Sequence, residues 1–175
     1  MPSFVLALLL TLTIQPGPGP HLTWTAPDGW KPRPAASGMR LAEFVLAKAQ
    51  GDPEDADVII YFFGGQGGDV ESNITRWIGQ MQQPDGKKSA DRAKRSSTTV
   101  NGLAVTIVDV PGTYTAEMSP GATEHHNKPG YRMIAAVLQT PKGPHFVKLL
   151  GPAKTIDKWK GSFDAFLGSL KFVTR

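Results

Sequence analysis

The chain is predicted to fold as an α+β domain. A mostly antiparallel sheet is expected to be covered by helices on both faces, giving a three-layer α/β/α sandwich. Three observations predict this. Two hairpin signatures, around Asn101-Gly102 and around Pro141-Lys142-Gly143, set strands antiparallel to one another. Two stretches repeat apolar residues at helical spacing, one starting at Val70 and one ending near Leu170. Runs such as Val58–Phe63 are apolar on both strand faces and so need cover on both sides, and two helices with one stripe each can supply it.

The elements follow in order. Leu22–Lys31 reads as a short strand running into a Pro-Asp-Gly turn, and Pro32–Ser37 as a loop. Met39–Lys48 is a strand with apolar residues on both faces. Gly51–Ala56 is an acidic turn, and Val58–Phe63 a buried strand. Gly64–Gly68 is a tight connection, with Asp69 placed to cap the next helix. That helix is expected from Val70 to Gln83, burying Val70, Ile74, Trp77, Ile78 and Met81 and stopping at Pro84-Asp85-Gly86. Lys87–Ser97 reads as a polar, basic loop. Thr98–Val100 and Leu103–Val110 form the first hairpin, and Pro111–Gly130 reads as a long loop. Tyr131–Gln139 and His145–Leu150 form the second hairpin. After Pro152, a position where a first-turn proline is welcome, a final helix carries the stripe Ile156, Trp159, Phe163, Phe166, Leu167 and Leu170.

Residues 1–20 differ from the rest because they contain no charged side chain. Phe4–Ile14 is an apolar run with only Thr11 and Thr13 as polar interruptions, too short for the roughly 20 residues of a bilayer span but matching a signal-peptide core. No Lys or Arg precedes it, and Gln15 and the spacer Pro16–Pro20 follow in place of a small-residue cleavage site. The reading is a signal-like segment and spacer over 1–20 and a single α+β domain over 21–175. The protein is then exported to the periplasm, the envelope or the outside, with no stable transmembrane span.

Composition excludes several classes. The 175 residues include no cysteine, so disulfides, thiolate catalysis and Cys-based zinc sites are out. The net charge of +4 is unevenly spread: residues 40–71 hold seven acids against Arg40 and Lys48, and residues 142–175 hold seven bases against Asp157 and Asp164. Such patterning fits halves that attract each other in the fold; the sharper alternative is a basic face for an anionic partner. The basic stretch Lys87–Arg95 has no interleaved aromatics, so nucleic acid is not an expected partner.

The strand–glycine–helix junction is where phosphate-binding or nucleophilic groups often sit, but it lacks both. Gly68 is followed by Asp69 and Val70, so the GxxxxGK[ST] loop is absent, and the third glycine of a dinucleotide pattern falls on Val70. Asp69 and Glu71 suit a helix N-terminus and would repel a phosphate. GxSxG is absent too. Three features remain as candidates. Gln66 in the turn and Arg76, beside Trp77, form one possible wall of a ligand-binding surface. Glu124, His125 and His126 are weak candidate metal ligands, since adjacent histidines diverge and no HExxH supports them. Asn73-Ile74-Thr75 matches a glycosylation sequon but falls on an expected helix.

The segments YFFGGQGGDVESNITRWIGQ, VDVPGTY, YRMIAAVL and FVKLLGPAKTIDKWKGSFDAFLGSLKF resemble a family of small, uncharacterised exported bacterial proteins over most of residues 24–173, with GQGG…NITRW…Q the most specific motif. The resemblance implies a PsbP-like fold, shared with a Ran-binding nuclear import factor, and brings no catalytic residues. The expectation is an exported, monomeric, non-enzymatic accessory protein binding a protein or small ligand, without a cofactor. The alternatives are a metal-binding protein or enzyme using Glu124, His125 and His126, and a structural envelope protein.

Overall fold

The computed structural model describes residues 21–174, so the signal-like segment and spacer over 1–20 lie outside the described residues. The chain runs β1 (His21–Thr23), β2 (Lys31–Arg33), β3 (Arg40–Leu46), β4 (Ala56–Phe62), α1 (Val70–Gly79), β5 (Met81–Gln82) and a single 3₁₀ turn at Ser89–Asp91. It continues through β6 (Lys94–Val100), β7 (Leu103–Tyr114), β8 (Lys128–Thr140), β9 (Gly143–Pro152), α2 (Ala153–Ser169) and β10 (Lys171–Val173). One eight-stranded sheet has the order β2-β3-β4-β9-β8-β7-β5, with β6 also paired to β7, and every pairing is antiparallel. A separate two-stranded sheet joins β1 to β10.

One side of the large sheet is closed by α2. Ile156, Phe163, Phe166 and Leu167 from the helix and Leu170 from its C-terminal cap pack on Phe44, Leu46, Val58, Ile60, Val147 and Leu149 from the strands. Trp30 fills the same cluster, its ring 4.8 Å from Phe166 and its indole N–H donating to Ser162 Oγ at 3.1 Å. The Asn-Gly turn forms as its chemistry requires, with Asn101 at φ 47° and Gly102 at φ 82°. The Asn101 amide then donates to the Leu170 carbonyl at 2.9 Å, tying the hairpin to the end of α2.

The other side carries α1. Asp69 caps it by accepting the Ser72 N–H at 2.9 Å, and Ile74 and Trp77 pack on Val108, Val110, Met133, Val137 and Phe146. The glycines before it allow close packing: a Cβ on Gly67 would stand 2.4 Å from the Phe146 ring.

The three-layer sandwich expected from the sequence is corrected by this arrangement. Among the described residues there are only two α-helices against one large and one small sheet, so the fold is dominated by β-structure. Helix α1 has ten residues and is roughly 15 Å long, whereas seven adjacent strands span roughly 29 Å. It covers β7, β8 and part of β9 and leaves β2–β4 without a helical layer. It also ends earlier than expected: Gln80 caps it, and Met81, the last residue of the apparent stripe, pairs as a strand residue with Tyr114. Three expected loops are partly strand. Pro32 and Arg33 lie in β2, opposite Phe44 and Glu43. Residues 94–97 belong to β6, an almost wholly exposed strand with no apolar alternation, and Pro111–Tyr114 extends β7 through an irregularity in register between Gly112 and Tyr114.

Candidate binding groove

The uncovered part of the α1 face is a groove. Its floor is β9, where Phe146, Lys148 and Leu150 face this side while Val147 and Leu149 face α2. Lys148 stands between Ile59 of β4 and Ala135 of β8, and the small alanine leaves room above the strand. Tyr61 and Phe63, stacked 5.9 Å apart, form one wall. Trp77 meets Phe146 edge-on at 5.9 Å and forms another. The register irregularity after Gly112 brings Tyr114 over the floor, its ring 5.1 Å from the Lys148 ammonium.

A lid crosses the groove. Residues 115–127 fold into a small hairpin closed by the Glu117–His125 bridge and by Met118 N–H to Glu124 O at 3.0 Å. The hairpin is tied to the end of α1 by Thr115 N–H donating to the Gln80 carbonyl at 2.9 Å. Below it lie two cavities of about 620 Å³ and about 380 Å³ that share Tyr61, Tyr114, Glu117, Pro120 and Lys148.

The two cavities differ in electrostatics. The cations that line only the outer one are paired: Arg33 with Glu43 at 2.8 Å and with Asp57 at 3.1 Å, Arg40 with Glu43 at 2.9 Å, Lys128 with Glu54 at 2.8 Å. Burial works against the charge of Glu43, but the Ala36 N–H and the two guanidiniums outweigh it and hold the carboxyl below its ordinary range. Hydrogen bonds from Lys128 and Tyr131 likewise hold Glu54 low. In the inner cavity neither Arg76 nor Lys148 meets a carboxylate. Arg76 donates to the Asn73 side-chain oxygen at 2.6 Å, and Lys148 to Gln80 Oε1 at 2.8 Å. Burial, with the Arg76 guanidinium nearby, pushes the Lys148 ammonium down to about 7. Glu117 lines both cavities, but its carboxylate accepts the Gly121 N–H at 2.8 Å within the lid.

The sequence-predicted residues are distributed as follows. Arg76 and His125 line the inner cavity and His126 the outer one, stacked on Tyr114 at 5.2 Å. Glu124 is exposed on the lid. Gln66 is exposed in the turn, its N–H closing on Phe63 O at 3.0 Å, and lines neither cavity. The ring of His125 bonds the Thr115 carbonyl at 2.9 Å. Among the described residues no three His, Asp or Glu side chains are grouped so as to hold a metal ion. The sequence reading missed Lys148, Tyr114 and Tyr61. Lys148 had a signal, being the one Lys, Arg, Asp or Glu of β9.

No protein-family model matches the chain, and no curated protein sequence matches it. Three solved structures are similar in fold. LpqN, involved in cell envelope biogenesis of Mycobacterium tuberculosis, matches with a TM-score of 0.53 and 10% identity over 89% of this chain and 84% of its own. The Pseudomonas aeruginosa protein PA94, of unknown function, matches with a TM-score of 0.51 and 12% identity over 86% of this chain and 96% of its own. These two show a shared fold. A cyanobacterial PsbP from Synechocystis matches with a TM-score of 0.47 and 12% identity over 89% of this chain and 93% of its own, a score at which no shared fold follows. Among the described residues no helix is long and apolar enough to cross a membrane.

Proposed function

We propose that the protein is an exported, non-enzymatic accessory protein, and that residues 21–175 form one binding unit whose groove holds a small ligand. The observation that carries this reading is the inner cavity. Its volume of about 620 Å³ falls in the usual range of ligand pockets, and its walls are aromatic with a few convergent polar groups. Its lining contains no serine or cysteine nucleophile, and the His125 ring nitrogen bonds a backbone carbonyl instead of a reacting group. Export is supported by the apolar run Phe4–Ile14, by the resemblance of the GQGG…NITRW…Q motif to small exported bacterial proteins, and by the envelope role of LpqN.

A blocking variant tests the groove. Gly79 ends α1 and lines the inner cavity, and a Cβ added there meets nothing within 4 Å. Gly79→Trp should therefore fill the cavity without disturbing the core. The neutral dye N-phenyl-1-naphthylamine should bind the parent protein at one saturable site and fail to bind Gly79→Trp of unchanged melting temperature. Equal binding to both proteins, or binding of neither this dye nor an anionic one to the parent, removes the groove as a ligand site. Cell fractionation tests export, and retention in the cytoplasm removes that part.

A further inference from the structure

We infer that the groove selects an organic anion: a carboxylate, phosphate or sulfonate head carried on a flat apolar body. This rests on the groove being the ligand site and names the ligand's chemistry. Two cations share the inner cavity, and neither is paired with a carboxylate: Glu117 lines it too but is bonded within the lid. Among the described residues Arg76 and Lys148 enter no ion pair, although the neighbouring outer cavity pairs Arg33, Arg40 and Lys128 with Glu43, Asp57 and Glu54. A groove that pairs three of its cations and leaves Arg76 and Lys148, the second of them on the boundary between the cavities, without a carboxylate is short of negative charge at that spot. An incoming anion supplies it and relieves the repulsion between the two cations.

The donors suit an anionic head. The neutral oxygens of Gln80 and Asn73 each hold one donor of Lys148 and Arg76, which fixes the side chains and leaves the remaining N–H groups of the ammonium and guanidinium for a ligand. Glu117 is the carboxylate that could compete, and it is engaged by the Gly121 N–H. The body of the ligand is specified by the walls. Tyr61, Phe63, Trp77, Tyr114 and Phe146 surround the cations with ring faces and edges, which favour a planar apolar group over a sugar or a hydrated inorganic ion.

The test uses dyes that share one aromatic body and differ in charge. 1-Anilinonaphthalene-8-sulfonate carries the anion and N-phenyl-1-naphthylamine lacks it. The sulfonate should bind the full chain about tenfold more tightly than the neutral dye, at the same site blocked by Gly79→Trp. Arg76→Gln and Lys148→Met should each narrow the preference for the sulfonate over the neutral dye about tenfold, while Lys148→Arg retains it. Competition by 2-naphthoate and by 1-naphthyl phosphate identifies the preferred head, and inorganic phosphate alone should not displace the dye. Equal affinity for the two dyes, or sulfonate binding indifferent to both substitutions, overturns the anion inference and leaves the groove as an uncharged ligand site. Failure of both dyes to bind overturns the groove reading together with it.

Discussion

On the face under α2 the sheet presents Phe44, Leu46, Val58, Ile60, Val147 and Leu149 to a helix of seventeen residues, and the rings of Trp30, Phe163 and Phe166 fill the space between. On the face under α1 the same strands present Glu43, Ile59, Tyr61 and Lys148, and the helix has only ten residues. β9 contributes to both faces: its odd-numbered residues are core, and its even-numbered ones line a groove. One face is completed by its helix, and the other is left open at one end. Glu43 and Lys148 sit at that open end, while the closed face holds its own interior pair, Arg132 with Asp109, next to Asp157 of α2. Burial is cheap where a full helical layer excludes water, and polar side chains are tolerated where the layer stops.

The comparison breaks most readily on the closed face. Phe166 is fully buried and touches Trp30, Phe44 and Phe163. Phe166→Ala should cost about 3–5 kcal/mol of unfolding free energy, measured by urea denaturation, with no change in the affinity of the folded protein for N-phenyl-1-naphthylamine. A comparable change in dye affinity would show that the two faces are not independent. Next comes Glu43, on the open side but only 2% exposed. Glu43→Gln keeps the shape and removes the charge shared by Arg33 and Arg40. The expected loss is about 2 kcal/mol, below the full cost of breaking a buried pair because both arginines reach water. No loss in urea would mean that this network is as weak as a surface pair.

These contrasts explain what the sequence could and could not disclose. Helix α2 was legible because six apolar residues repeat at one spacing and all lie against the sheet. The Asn101-Gly102 hairpin was legible because its turn chemistry is local. The extent of α1 was not, because Met81 continues the helical stripe by position while its backbone pairs with a strand distant in sequence, opposite Tyr114. Nor was the groove. Tyr114 reaches it through an irregularity at Gly112, Lys148 through strand alternation, and Arg76 through helix rotation, so their meeting depends on a register that no local pattern encodes. The expected helical cover of both faces failed for the same reason: a stripe shows that a helix buries one side, not how much sheet it spans.

The smallest effects are the most specific to the comparison, since each face holds one basic group whose charge burial disfavours. His145 lies on the closed side, 3% exposed and stacked on Phe62 at 4.2 Å, and burial pushes its pKa down. Its unfolded form therefore binds protons that the folded form refuses, so stability should fall as pH drops from 7 toward 5. His145→Gln should flatten that acid limb in urea titrations. Lys148 lies on the open side with its ammonium lowered to about 7, while the unfolded lysine titrates near 10.5. Between these values the unfolded chain holds the extra proton, so stability should rise as pH increases from 7 toward 9, before the unfolded tyrosines, which titrate near 10, lose their protons. Lys148→Met should remove this rise and raise stability at pH 7, because burial makes the unpaired ammonium a cost to the folded state. A rise that persists in Lys148→Met would place the titrating group elsewhere. A large loss at pH 7 would make Lys148 a structural residue, and the open end of the sheet would then need its cation for folding instead of for a ligand.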